Sequence, residues 1–166
     1  MDKSIKICYD VFMKEVIIYT DGACSYNPGP GGWGALLMYG TETRPLSGGD
    51  EMTTNNQMEL MAVIKALSAL KEPCKVEIFT DSAYVCNAFQ QDWISGWIMR
   101  GWKNANKKPV ANRELWEELI ALTKKHIVHF NKVKGHADNE FNNRCDLLAR
   151  MEVEKILARR DADLAD

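Results

Sequence analysis

Residues 19–34 read YTDGACSYNPGPGGWG, and this stretch decides how the first part of the chain folds. The β-branched residues at 16–20 predict a strand that ends on Asp21. A bend rich in glycine and proline follows, and the apolar chain resumes at Trp33. Such a bend could bind a phosphate through its backbone N–H groups, or it could be a wide hairpin turn. The stretch alone leaves both alternatives open.

The composition is typical of one globular domain with its own hydrophobic core. Of 166 residues, 46% are hydrophobic and 27% are charged, and the formal net charge is −2. No apolar run approaches the ~20 residues of a membrane span, and the N-terminus lacks the unbroken apolar segment of a signal peptide. The five cysteines include no C-x-x-C pair, so we expect free thiols. These features predict a cytoplasmic protein that does not associate with membranes.

Hydrophobic periodicity predicts a meander of three strands followed by alternating helices and strands. Strands are predicted at 16–20, 33–39, 43–46, 76–80 and 127–133. Helices are predicted at 58–70, 82–88, 113–124 and 139–159, and residues 54–57 are typical of a capping box before the first helix. This order predicts a single α/β domain with a mixed sheet at 15–160. A short N-terminal extension at 1–14 precedes the domain, and a charged tail at 161–166, expected to fray, follows it.

Two predicted strands end in the same Thr-Asp pair, at Asp21 and at Asp81. If both strands are central and parallel, both carboxylates lie at the carboxyl edge of the sheet, where α/β folds bind ligands. Like charges gathered at one place favour a hard cation with oxygen ligands. Either aspartate could instead cap the turn or the helix that follows it.

Three further residues are candidates for the same site. Glu59 lies among apolar residues near the start of the first predicted helix, where it either points inward or interacts with the helix dipole. Asp146 lies within the last predicted helix and has the same ambiguity. His136 is on the loop between the last strand and that helix. All five side chains can converge on one edge of the sheet.

A basic segment covers residues 100–113, which include no acidic residue. Its five basic residues are Arg100, Lys103, Lys107, Lys108 and Arg113. A local basic patch can bind phosphates although the whole chain is slightly acidic. The alternative is a solvated loop that has no ligand.

Five motifs, in order along residues 16–150, resemble those of the type 1 ribonuclease H family. They are YTDGACSYNPGPGGWG, TTNNQMELMAVIKAL, FTDSAYV, WISGWIMRGWKNANKKPVANRELW and VKGHADNEFNNRCDLLAR. The resemblance implies a five-stranded mixed sheet flanked by helices, the ribonuclease H-like fold. It also implies a monomeric endonuclease, without an obligate protein partner, that hydrolyses the RNA strand of RNA–DNA hybrids. The implied cofactor is Mg²⁺, with Mn²⁺ as a substitute, in a two-metal mechanism that leaves 5′-phosphate and 3′-hydroxyl ends.

The resemblance also implies roles for single residues. The four metal-binding carboxylates would be Asp21, Glu59, Asp81 and Asp146, and His136 would assist proton movement or product release. The residues that touch the minor groove of the hybrid would be Cys24, Asn27, Asn55 and Asn56. Thr54 and Asn112 would hold a phosphate of the DNA strand. The basic protrusion at 93–108 would bind the hybrid through Trp93, Arg100, Lys103, Lys107 and Lys108.

The chain departs from the family pattern at several positions, and these departures put its affinity for the substrate in doubt. Met52 replaces a basic residue near the phosphate pocket, Ala83 replaces a longer polar residue, and Ile98 and Met99 stand where lysines are common. Two alternatives therefore stay open: another nuclease of the superfamily, such as a junction resolvase or an integrase-like enzyme, and a non-catalytic hybrid-binding module. The four acids argue against the module, and the Thr-Asn-Asn segment and the protrusion argue against the other nucleases.

Overall fold

The computed structural model describes residues 13–134 and 139–165. The strands are β1 (Lys14–Cys24), β2 (Gly29–Tyr39), β3 (Glu42–Thr53), β4 (Cys74–Thr80) and β5 (Ile127–Lys132). The helices are α1 (Asn55–Ser68), α2 (Ala83–Gln90), α3 (Trp93–Met99), α4 (Arg113–Lys125) and α5 (Glu140–Ala165). None of the helices in these two ranges is long and apolar enough to cross a membrane.

The strands form one sheet in the order β3-β2-β1-β4-β5. The β1–β2 and β2–β3 pairs are antiparallel, whereas β1–β4 and β4–β5 are parallel. This confirms the predicted five-stranded mixed sheet with its meander first. Because β1 and β4 are parallel neighbours at the centre, their carboxyl ends lie side by side.

Helices pack on both faces of the sheet, and successive glycines of β2 show which helix covers which face. A Cβ atom on Gly31 would stand 2.9 Å from Met58 of α1, whereas one on Gly32 would clash with the carbonyl oxygen of Ala149 of α5. Since neighbouring residues in a strand point to opposite faces, α1 and α5 lie on opposite sides. The main core, on the α1 side, includes Ile18, Leu60 and Trp116, all fully buried.

The prediction of a long bend after Asp21 is wrong for most of the stretch. β1 continues to Cys24, and the turn between β1 and β2 covers only residues 25–28. The glycines from Gly29 onward belong to β2 and pair with β1 and β3. Glycine in a strand often marks a close approach of another backbone, and here Gly32 and Gly34 lie directly beneath the backbone of α5.

Other boundaries also differ from the predictions. β3 extends seven residues past the predicted end at 46, to Thr53, and α3 is a helix that the periodicity does not predict. The last helix continues beyond 159 to Ala165, so the described part of the tail is helical and exposed. The capping box is half formed, because Thr54 Oγ1 accepts from the Gln57 backbone N–H at 3.2 Å while the Gln57 side chain bonds elsewhere. Cys24, Cys74, Cys86 and Cys145 are free, as predicted.

Candidate metal centre and substrate surface

Asp21 and Asp81 lie at adjacent carboxyl ends of the two central parallel strands. The parallel pairing of β1 with β4 reaches Tyr19 and Phe79, two residues before each aspartate. Asp21 remains within β1, paired with Gly34, and Asp81 directly follows Thr80, the last residue of β4. The capping alternative does not hold for Asp81, because Ser82 Oγ caps α2 by accepting from Val85 N–H at 3.2 Å.

Glu59 reaches the same place because the start of α1 packs against the backbone of β1. A Cβ atom on Gly22 would stand 2.6 Å from the Glu59 nitrogen and 2.7 Å from the Met58 carbonyl carbon. No other amino acid could occupy position 22 without displacing the helix. The N-terminal part of α1 therefore directs Glu59 inward, towards Asp21, and Glu59 lies past the first turn of the helix.

Three carboxylates converge at this edge of the sheet. Asp21, Glu59 and Asp81 each offer an oxygen, and these oxygens all lie within 4.8 Å of one another. Asp146, on α5, is close enough to Asp21 to raise its pKa electrostatically. It is not part of the close group, and its Oδ2 accepts from Arg150 Nε at 2.8 Å. The structure thus gathers three of the four predicted ligands and pairs the fourth with an arginine one turn along its own helix.

The electrostatics of the three carboxylates favour a bound cation. Burial, followed by repulsion from Asp81 and Asp146, raises the pKa of Asp21 to about 8. Burial and the neighbouring charge of Asp21 raise the pKa of Glu59 well above its usual value. Within the described ranges, the buried Oε2 atom of Glu59 has no hydrogen-bond partner. An unpartnered buried acceptor among repelling carboxylates fits a divalent cation with oxygen ligands, so the residues present suit the implied metal.

His136 lies within residues 135–138, outside the described residues. Its assignment therefore stays a prediction that rests on the sequence. The helix of Asp146 begins two residues after this segment, at Glu140.

The residues predicted to touch the minor groove lie together at the β1–β2 turn and the start of α1. Asn27 Oδ1 accepts from the Asn55 backbone N–H at 3.1 Å, which ties the turn to the helix. The Cys24 sulfur lies 3.4 Å from the carbonyl oxygen of Thr53. Asn55 and Asn56 are exposed on the first turn of α1. These contacts hold the four residues together at the β1–β2 turn and at the start of α1, the helix that carries Glu59.

The two residues predicted to hold a DNA-strand phosphate are joined through Gln57. The Gln57 backbone N–H donates to Thr54 Oγ1, and its side-chain Nε2 donates to Asn112 Oδ1 at 3.2 Å. Thr54 and Asn112 are the N-cap residues of α1 and α4, so two helix N-termini meet here. The sequence analysis did not include Gln57 in this pocket. Its position in the expected capping box was a signal that its side chain would form a hydrogen bond there.

The basic protrusion is packed onto the body by tryptophans. Trp97 is buried and lies edge-on against Trp116, with ring centroids 5.2 Å apart. Trp93 is 37% exposed and packs against Trp97. The four basic residues predicted to contact the hybrid, Arg100, Lys103, Lys107 and Lys108, are all exposed. Met52, Ile98 and Met99, which replace basic residues, are exposed as well. The segment therefore combines a positive surface with apolar side chains.

Known proteins are similar to this chain in both sequence and fold. The sequence model of the RNase H family matches residues 13–154. Ribonuclease H of Chlorobaculum parvum is 60% identical over 142 residues, covering 86% of this chain and 97% of that protein. Ribonuclease H of Acetivibrio thermocellus is 57% identical over 143 residues, covering 86% and 97%.

Solved structures of similar fold are also ribonucleases H. LC9-RNase H1, described as a type 1 RNase H with the type 2 active-site motif, superposes with a TM-score of 0.77 at 28% identity, covering 86% of this chain and 74% of that one. LC11-RNase H1 in complex with RNA/DNA hybrid superposes with a TM-score of 0.67 at 26% identity, covering 86% and 99%. The acidic residues at the edge of the sheet, the match to the family model and these relatives lead to one conclusion. The chain belongs to the RNase H family and is a nuclease of its bacterial type 1 branch.

Proposed function

We propose that this enzyme cuts the RNA strand of RNA–DNA hybrids and leaves 5′-phosphate and 3′-hydroxyl ends. The observation that carries the proposal is the group of three carboxylates, whose oxygens lie within 4.8 Å of one another, beside the polar residues of the β1–β2 turn and the start of α1. LC11-RNase H1, a structural neighbour, was solved with an RNA/DNA hybrid bound, which supports the same substrate here. We also propose that the enzyme acts as a monomer and that it works in the cytoplasm, a reducing compartment in which free thiols such as Cys24, Cys74, Cys86 and Cys145 persist.

Asp21, Glu59 and Asp81 would hold divalent ions, Mg²⁺ in the first place, with Asp146 as a further ligand once it leaves Arg150. When bound, a pair of such ions activates the attacking water and stabilises the leaving oxygen in an in-line displacement. The protein's part is to hold the ligands rigidly. Asp21 is fixed by its strand and by Gly22 N–H, which donates to Asp21 Oδ1 at 2.9 Å. His136 would assist proton movement or product release.

Recognition of RNA would come from the turn and the start of α1. The 2′-hydroxyl is both a donor and an acceptor, and the wide minor groove of an A-like duplex presents it to short polar side chains. Cys24, Asn27, Asn55 and Asn56 supply such groups next to the carboxylates. Thr54 and Asn112 would bind a phosphate of the DNA strand between two helix N-termini. Trp93 and the basic residues of the protrusion would bind the flanking duplex.

The test is a panel of duplexes of one sequence: RNA–DNA hybrid, double-stranded DNA and double-stranded RNA. Each is incubated with Mg²⁺, with Mn²⁺ and with chelator, and the ends of the products are mapped. We expect cleavage of the RNA strand of the hybrid only, in either metal and not in chelator. Cleavage of double-stranded DNA at the same rate would instead favour another nuclease of the superfamily, and hybrid binding without cleavage would favour a binding module.

Two aspartate-to-asparagine variants distinguish the loss of a metal ligand from the loss of a surface charge. Asp21→Asn keeps the volume of the side chain and removes a charged ligand, so we expect no measurable cleavage from a folded protein. Asp163→Asn, on the exposed end of α5, is the control and should cleave like the wild type. An Asp21→Asn variant with near wild-type activity in Mg²⁺ would refute the assignment of the centre.

A further inference from the structure

The last helix, α5, runs along the edge strand β3 and contacts every second residue over part of that strand. Three contacts in a row join helix and strand: Ser47 with Glu152, Gly49 with Ile156, and Glu51 with Arg160. The spacing on the helix is four residues, a rise of about 6 Å, and the spacing on the strand is two residues, a rise of about 7 Å. Because the two rises nearly match, the contacts stay in step from Ser47 to Glu51.

The third contact comes from a part of α5 that lies beyond the family match. That match ends at residue 154, and the helix continues for 11 further residues, the helical extension 155–165. Apart from Ile156, the residues of the extension are exposed, so burial of apolar surface does not explain why the helix continues past Ile156. Beyond Ile156, the extension meets the sheet through Arg160, whose Nη2 donates to the Glu51 carbonyl oxygen at 2.8 Å.

Arg160 meets β3 at a β-bulge, a place where two residues of one strand face one residue of its neighbour. The pairs that flank the bulge are Gly29 with Thr53 and Gly31 with Asp50. Between these pairs β3 has Glu51 and Met52, whereas β2 has only Pro30. Proline has no backbone N–H. The carbonyl oxygen of Glu51 therefore cannot receive a hydrogen bond from Pro30.

Two side chains bond to the backbone groups of the bulge. Asp50 Oδ1 accepts from the Met52 backbone N–H at 3.0 Å, and Arg160 donates to the Glu51 oxygen. The first bond is local, whereas the second spans 109 residues. A bulge bends its strand, so the groups that hold it also set the direction in which the strand ends. Arg160 thus fixes the end of β3 from outside the sheet.

The bulge lies one residue before Thr54, the N-cap of α1, and the exposed Asn55 and Asn56 follow Thr54. The Asn55 backbone N–H donates to Asn27 Oδ1 at 3.1 Å, so the β1–β2 turn is attached to the same place. A shift of the bulge would therefore displace the proposed substrate-binding residues together. The two aspartates on the central strands would stay in place.

We propose that Arg160 is a positioning residue for substrate binding: by holding the β3 bulge, it places Thr54 and the start of α1 for contact with the hybrid. The inference rests on the proposed function, because its substrate is the RNA–DNA hybrid. It gives the helical extension a role in recognition. Arg160 acts through the backbone of β3 and does not itself touch the duplex.

The first test compares steady-state cleavage of hybrid by the wild type and three variants. Arg160→Met removes the donors, Arg160→Lys keeps a donor and the charge, and Arg159→Met is the matched control, because Arg159 is exposed beside Arg160 and its loss changes the net charge equally. We expect Arg160→Met to raise KM by roughly two- to tenfold, the effect of one net hydrogen bond, with kcat within about twofold. Arg160→Lys should restore part of the difference, and Arg159→Met should change neither constant. An unchanged KM in Arg160→Met, or an equal rise in Arg159→Met, would overturn the proposal.

The salt dependence of binding distinguishes positioning from direct contact with the duplex. Fluorescence anisotropy with labelled hybrid, in chelator and in the Asp21→Asn background, reports affinity without cleavage. A phosphate contact would contribute roughly 0.7–0.9 to the slope of log affinity against log salt. We expect Arg160→Met to bind more weakly with the slope of its Asp21→Asn parent. A slope reduced by the amount of one phosphate contact would show that Arg160 binds the duplex directly, and the positioning role would be wrong.

Amide hydrogen exchange without substrate separates the inference from the proposed function. The Met52 N–H lies in the bulge and is bonded to Asp50. We expect it to exchange faster in Arg160→Met than in the wild type and in Arg159→Met, because the bulge opens more often. Equal exchange in the three proteins would refute the inference and leave hybrid cleavage by the wild type intact. A wild type that does not cleave hybrid would refute the function, and the exchange rates would still decide whether Arg160 holds the bulge.

Discussion

Gly22 lies so close to Glu59 that a Cβ atom on residue 22 would stand 2.6 Å from the Glu59 backbone nitrogen. Real Cβ atoms do not approach backbone this closely, so the contact exists only because position 22 has no side chain. It connects the strand of one carboxylate, Asp21, to the helix of another. The distance between the two acids therefore depends on a residue that carries no functional group.

Gly22→Ala is expected to move the start of α1 away from β1 and to lower the affinity for Mg²⁺ and the rate of cleavage. Overpacking of this kind costs about 1–3 kcal/mol of unfolding free energy. Gly40→Ala is the control, because Gly40 has φ 59° and open space around it, so the substitution strains the backbone far from the site. Urea unfolding and metal titration on both variants test the prediction. Equal loss of metal affinity in the two would show that reduced stability alone explains the effect.

The stabilisation by Mg²⁺ is expected to grow as pH rises. The pKa of Asp21 in the folded protein is about 8, raised from 3.8, so its contribution to stability is complete below about pH 4 and is lost as pH rises towards 8. A bound cation removes this loss because it favours the charged form. Thermal unfolding with chelator and with Mg²⁺, from about pH 5 to pH 9, should show a widening gap. In Asp21→Asn the gap should be small and nearly flat.

His126 is expected to stabilise the fold as a neutral acceptor. Its Nδ1 accepts from the buried Cys74 N–H at 3.0 Å, and burial lowers its pKa below the usual 6.5. The stability from this group is therefore present above about pH 6.5 and is lost as pH falls through the lowered pKa. His126→Ala leaves a buried N–H without a partner and should cost about 1–3 kcal/mol at neutral pH. Hybrid cleavage well below the unfolding temperature should be unchanged. A stability equal to that of the wild type would contradict the assigned bond.

His136→Ala is expected to slow turnover without abolishing it, because the three carboxylates that would bind the metal remain in place. Removal of a group that assists proton transfer typically lowers the rate by roughly 10²–10⁴-fold. Single-turnover and steady-state rates distinguish chemistry from product release. The matched control is His129→Ala, since His129 is exposed on β5 and bonded to Glu77. Complete loss of cleavage would mean that His136 has a more central role.

Lys103, Lys107 and Lys108 are expected to make the binding of hybrid depend strongly on salt. Each phosphate contact contributes roughly 0.7–0.9 to the slope of log affinity against log salt. Replacing all three lysines with glutamine should lower the slope in proportion to the number of phosphates that these lysines neutralise, measured by anisotropy from low to high salt. Lys71→Gln, on the loop before β4, should leave it unchanged. An unchanged slope in the triple variant would show that the protrusion does not touch the phosphates.

The sequence predicted those parts of the site that depend on local pattern. Asp21 and Asp81 follow β-rich runs joined by a helical crossover, and such a connection makes the strands parallel, so their meeting at one edge could be foreseen. The five-stranded mixed sheet followed from the order of elements and the family resemblance, and it is confirmed. Glu59 was ambiguous from the sequence, because the choice between pointing inward and facing the helix dipole is made by the contact with Gly22.

The remaining features depend on contacts between residues distant in sequence. The glycines of β2 resemble a loop by composition, and only the helix that packs on them reveals a strand. The pairing of Asp146 with Arg150 competes with its place among the carboxylates, and spacing alone does not decide between them. The bond from Gln57 to Asn112 spans 55 residues, so no local signal names the partner.

The glycines beneath α5 also set how far that helix lies along its own axis. The carbonyl oxygens of Cys145 and Ala149 fit above Gly34 and Gly32, and a Cβ on either glycine would clash with them. Sliding α5 by one turn, about 5.4 Å, would therefore bring bulkier parts of the helix onto the sheet and carry Asp146 away from Asp21. The glycines at positions 32 and 34 thus fix the position of α5 along its axis relative to the sheet. A substitution there would change the chemistry of the centre although it removes no ligand.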